Sequence, residues 1–186
     1  GDLLPEGMKA YLAYAPEASA GVQNDKTFSA ADGTLGSGYD IVLEHSGLAD
    51  GLNIFAGYSD ITDDTGSDRS AKVMGFSYAV GGLTVGAQTL KDAMGEQTAN
   101  VDYYDNTAYG VSFLINDNLS VSYGQHKSEQ GAEAGLVKVE LKAKSLQAAY
   151  TMGGATFKIA RSDISNASYS TAVANDYDVN VIAMSL

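Results

Sequence analysis

The sequence predicts an all-β fold: a transmembrane, antiparallel, up-and-down β-barrel, with about ten strands supplied by these 186 residues. Three observations carry that expectation. Apolar and polar residues alternate with period two along most of the chain, and helical periodicity is found nowhere. Short and long connections follow one another in strict succession. One parity of every strand is predominantly apolar and carries its aromatic residues at two heights.

The repeating unit is clearest over 144–161. Leu146, Ala148, Tyr150 and Met152 alternate with Ser145, Gln147, Ala149 and Thr151. Gly153-Gly154 then supplies the positive φ of a tight hairpin, and Phe157 and Ile159 alternate with Thr156, Lys158 and Ala160. The same pattern places strands at 8–15, 39–46, 52–60, 71–80, 83–91, 106–115, 118–127, 143–152, 155–163 and 177–186. Short connections fall at 46–51, 81–82, 116–118 and 153–154, and long ones at 16–37, 61–70, 92–105, 128–142 and 164–176. The long ones are rich in Asp, Glu, Asn, Ser, Gly and Thr, so they belong in water. An outer-membrane barrel has short periplasmic turns and long outer loops, whereas a soluble sandwich has no reason to sort its connections by length. No linker interrupts the pattern, and residues 1–186 read as a single β-barrel domain.

The apolar parity includes Met8, Leu12 and Tyr14; Ile41 and Leu43; Met74, Phe76 and Tyr78; Val111 and Phe113; Leu146, Ala148 and Tyr150; and Ile182, Met184 and Leu186. None of these positions is charged, as a lipid-facing wall requires, because a charge at the midplane costs about 2–4 kcal/mol. With the short turns taken as the bottom, Tyr14, Tyr39, Tyr58 and Tyr109 sit high while Tyr78, Phe113, Tyr150 and Phe157 sit low. That sorting matches two interfacial belts; a sandwich core would gather its rings at mid-height. The opposite parity is small and polar, as in Ser77, Thr84, Gly86, Gly110, Ser112, Ser120 and Ser122. Such a wall leaves a wide lumen full of water.

Composition narrows the alternatives. No run of about 18 apolar residues exists to cross a bilayer as a helix. There is no Cys, which removes disulfides and thiolate metal sites, and a net charge of −12 argues against nucleic acid as a partner. No cofactor motif is present. Strand parity sends Lys9, Asp40, Glu44, Gln88, His126, Gln147 and Lys158 into the lumen as pore-lining candidates, the plainer alternative being solvated wall residues with little effect on selectivity. Arg161 and Lys91 share the lipid-facing parity but lie near the upper rim, where long cationic side chains snorkel towards headgroups. Asp60, Asp63, Asp64 and Asp68 could offer oxygens to Ca²⁺, but their spacing fits an acidic loop better than a calcium loop. His45 and His126 lie far apart, and neither adjoins a nucleophile motif, so no catalytic residue is expected.

Three stretches, 117–126, 149–156 and 177–186, give the sequence a resemblance to the Gram-negative general porin family, most of all its alphaproteobacterial members. The resemblance implies an outer-membrane homotrimer of sixteen-stranded barrels in contact with membrane lipid and lipopolysaccharide. Each barrel would be a non-enzymatic pore for passive diffusion of small hydrophilic solutes and ions, narrowed by an inward-folded third outer loop. Two departures stand out: ten readable strands, and a terminal Leu186 where the family usually has an aromatic residue. They lead us to expect the C-terminal portion of such a barrel, with about six further strands and the constriction loop upstream. Two other readings compete. A secreted soluble β-sandwich adhesin is opposed by the sorted connections, and an outer-membrane barrel enzyme by the lack of a Ser, His and acidic constellation at one rim.

Overall fold

A computed structural model describes residues 3–16, 35–63, 68–94, 101–131 and 138–185. Leu186 and most of the long connection at 16–37 lie outside the described residues. Ten strands form in the expected order: β1 (Met8–Ala15), β2 (Leu35–His45), β3 (Leu52–Asp63), β4 (Arg69–Val80), β5 (Leu83–Ala93), β6 (Tyr103–Asn116), β7 (Leu119–Gly131), β8 (Val139–Met152), β9 (Ala155–Ser165) and β10 (Tyr177–Ser185). Each pairs antiparallel with its neighbours in sequence, giving one up-and-down sheet whose spatial order is the chain order. The sheet is open, with β1 and β10 at its edges. The only helical residues described are two 3₁₀ turns between β9 and β10, Ala167–Tyr169 and Val173–Asn175.

Turn chemistry fixes the lower ends. Gly153 and Gly154 take φ of 59° and 90°, the left-handed geometry of a tight hairpin. Gly51 sits at φ 75°, where any Cβ would run into the carbonyl oxygen of Ala79, so the turn before β3 tolerates no side chain. Between β6 and β7 the Asn116 side-chain oxygen accepts the N–H groups of Asn118 and Leu119, at 2.9 and 3.0 Å. That Asx turn starts β7 at Leu119 rather than 118.

At the other end the strands outrun the sequence pattern. β6 begins at Tyr103 rather than 106, β7 runs to Gly131 rather than 127, and β8 begins at Val139 rather than 143. Apolar alternation stops there because the outward parity becomes charged, but the backbone ladder continues. Lys91 faces Asp105, Asp105 faces Glu129, and Glu129 faces Glu140.

Register joins the apolar parities of all ten strands into one face. Leu12 stands opposite Ile41 and Ile41 opposite Tyr58; further round, Tyr78, Val85, Val111, Tyr123 and Leu146 form one continuous row. The row below it runs Ala148, Ile159, Ile182. This face is uncovered: Leu12 is 76% exposed, Leu146 62% and Ile182 85%. Ile61 is the one buried apolar side chain among the described residues, so no second layer packs on the sheet. An exposed apolar face of this extent marks a protein or membrane interaction surface.

The opposite face is concave and lined by small groups. One row runs Ser77, Gly86, Gly110, Gly124, Ser145, Ser162. Hollows of about 370 and 290 Å³ open on this side. Phe55 is one of its bulky members, and the sheet makes room by placing Gly75 directly opposite. A Cβ at Gly75 would lie 2.7 Å from the Phe55 ring and 2.6 Å from the Ala87 carbonyl oxygen.

Two outcomes are expected. Val111→Arg or Ala148→Arg should lower folded yield in liposomes, by the ~2–4 kcal/mol of a midplane charge, while Gln147→Arg on the other face folds normally. Equal damage from both faces, read from heat-modifiable gel mobility, contradicts the assignment. Gly75→Ala should destabilise by about 1–3 kcal/mol in urea titration, despite the better strand propensity of Ala, because backbone blocks the new methyl.

Candidate functional site

All seven residues singled out by parity point to the concave face, in three groups. Lys9 stands directly across from Glu44, whose carboxylate also accepts the Tyr11 hydroxyl at 3.5 Å, and Asp40 lies higher on β2 opposite Ser59. Gln88 and His126 share one row with Ala108 between them, and Gln88 faces Gly75. Gln147 and Lys158 line the larger hollow together with Ser120, Ser122 and Ala149. The Gln147 amide donates to Ser145, which also accepts the Ser162 hydroxyl, at 3.2 and 3.0 Å. The result is a wall of fixed charges separated by hydroxyls and glycines, able to hydrogen-bond water along its length.

The upper wall holds a polar cluster that the sequence reading missed, because its members fell inside stretches read as long connections. Arg69 grips Asp92 through two parallel bonds, Nε to Oδ1 at 3.2 Å and Nη2 to Oδ2 at 2.7 Å, with both side chains largely shielded. Next to it Gln130 donates to the Tyr104 hydroxyl at 3.1 Å, and Ser128 lies 2.6 Å from the Tyr169 hydroxyl. A signal was available: stepping by two from Val73 reaches Arg69, and from Gln88 reaches Asp92. Parity continues past the point where apolar residues stop marking it.

On the outward face the high tyrosines carry their hydroxyls to polar groups. Tyr58 donates to Asp60 at 2.8 Å, and Tyr109 and Tyr123 both donate to the buried Gln125, at 2.8 and 3.2 Å. Tyr39 and Tyr58 pack ring on ring at 5.8 Å. Above them runs a band of ion pairs. Lys127 and Lys142 flank Glu140 at 3.5 and 3.2 Å, Lys138 meets Glu129 at 3.0 Å, and Lys91 meets Asp105 at 3.8 Å. Arg161 lies between Asp163 and Asp178, at 3.6 and 4.0 Å. The Tyr103 hydroxyl, and then Glu129, hold the Lys138 ammonium above the usual lysine range. Individually such exposed pairs contribute about 0–1 kcal/mol. Collectively they mark the height at which the outward wall changes from hydrocarbon-compatible to polar.

His45 lies on the outward face with its Nδ1 accepting the Gly47 N–H, whereas His126 is on the concave face. Among the described residues no group of three or more His, Cys, Asp or Glu could hold a metal. Asp60 is engaged by Tyr58, while the side chain of Asp63 and all of Asp64 lie outside the described residues.

No curated protein is significantly similar to the chain in sequence. A family model described as Gram-negative porin matches residues 17–184. The match covers β2 to β9 and nearly all of β10, the same strands that place a largely apolar face against a small, polar, concave one. The chain belongs to the Gram-negative porin family.

Proposed function

We propose that this chain forms the wall of a water-filled outer-membrane channel, through which small hydrophilic solutes and ions diffuse passively without any catalytic step. The division of one sheet into two faces carries the reading. An uncharged face with tyrosines at its upper margin suits lipid, and a concave face of Ser, Thr, Gly and dispersed charge suits water. The band of ion pairs above the tyrosines lies where phosphorylated headgroups would be met, which supports outer-membrane lipid and lipopolysaccharide as partners. Family membership supports a homotrimer. The open edges at β1 and β10 support a larger barrel, about sixteen strands, because unpaired strand edges do not survive in hydrocarbon. Residues 1–186 would then be one part of a single barrel domain.

Solute selection in such a channel follows from fixed wall charge. Lys158 projects into the larger hollow beside Gln147 and raises the local anion concentration, an effect screened over about 10 Å at 0.1 M salt. Lys158→Glu should shift the reversal potential in planar bilayers towards cations, more at low salt than at high. Absence of conductance in the native protein would exclude the channel. Normal conductance with unchanged selectivity in the variant would leave the channel standing and make Lys158 an inert wall residue.

A further inference from the structure

Ser128 is 2% exposed, the most buried side chain among the described residues, on a chain most of whose wall is open to its surroundings. Strand pairing does not bury it. Ser128 projects from the concave face of β7, opposite Asn106 and Leu141, near the rim where the long connections emerge. Its cover is the connection from β9 to β10. Tyr169 reaches back over the wall, sets its hydroxyl 2.6 Å from Ser128 Oγ and packs its ring 5.3 Å from that of Tyr104, which projects from β6 on the same face. Two further bonds fix the segment: Asn166 donates its side-chain amide to the Glu140 carbonyl oxygen at 2.8 Å, and its own N–H to Asp176 at 2.7 Å.

The backbone that delivers Tyr169 is strained. Asn166, Ser168 and Tyr169 have φ of 54°, 56° and 54°, a region that costs a bulky L-residue free energy and persists only where surrounding contacts over-determine it. A polar connection with no reason to leave water would relax to ordinary angles. Here the docking contacts hold it inward.

We propose that residues 166–176 form a strap docked inward across the long-connection mouth of the lumen, with Tyr169 as the positioning residue that holds it there and so limits the size of the hydrophilic solutes that enter. The size limit rests on the channel reading; the docking does not. Tyr169 acts through the strap, by filling the recess between Tyr104 and Ser128. Removing its ring frees the strap to swing into solvent and widens the mouth, whereas removing only its hydroxyl leaves the ring packing in place.

The chain has no cysteine, so Ser128→Cys introduces a single thiol under the strap. In the full chain folded in liposomes, a charged aqueous thiol reagent should modify Ser128→Cys slowly. It should modify Ser128→Cys/Tyr169→Ala about tenfold faster, the factor that ~1.4 kcal/mol of docking free energy protects. Ser128→Cys/Tyr169→Phe should stay slow. Equal rates in all three overturn the docking. Permeation measured in chains that keep Ser128 separates the second claim: graded saccharides should enter Tyr169→Ala liposomes at larger sizes than native ones, with Tyr169→Phe close to native. An unchanged size limit in Tyr169→Ala overturns the constriction even where labelling shows release. Absence of permeation by any version refutes the channel and the size limit together, while the labelling rates still decide the docking.

Discussion

A backbone N–H or C=O without a partner in hydrocarbon costs several kcal/mol, and in this chain that constraint precedes every other. A strand meets it only by pairing along its whole length with a neighbour on each side. The strict neighbour-to-neighbour ladder from β1 to β10 is the simplest connectivity that does so without a crossover. Pleating then divides the side chains between two faces, so each strand must satisfy two media at once. A one-residue slip in any pair would exchange the faces. The registers keep outward parity against outward parity across all nine pairings, from Leu12 and Ile41 at one edge to Ile159 and Ile182 at the other.

How far the sequence disclosed this depended on what marks each end of a strand. The lower ends carry residues with an unambiguous backbone meaning, Gly51, Gly81-Gly82, Asn116 and Gly153-Gly154, and their positions are read nearly to the residue. The upper ends carry no such punctuation. There the outward parity changes from apolar to charged while the ladder continues, so Glu129, Glu140 and Lys142 look like loop residues although they are strand residues paired across the sheet. Which residues share the concave face was legible from alternation alone. Which of them meet was not, because proximity depends on register and register is invisible to a single sequence.

The same limit explains the upper cluster. Arg69 and Asp92 are 23 positions apart, and Ser128 and Tyr169 are 41 apart. No local pattern signals either pair. Gln125 is instructive in a different way: its outward parity argues against a polar amide, yet two tyrosine hydroxyls meet its side-chain oxygen at the margin of the apolar face. A polar residue on the lipid-facing parity therefore marks a change of height on the wall.

The architecture depends on adjacent residues of one strand facing different media. The most direct test is a single-cysteine scan across residues 145–150 of β8 in the full chain folded in liposomes, with each thiol offered a charged aqueous reagent and a membrane-confined one. Positions 145, 147 and 149 should react with the aqueous reagent, and positions 146, 148 and 150 with the membrane-confined one. Uniform reactivity along the strand, or the reverse alternation, would contradict the two-faced wall.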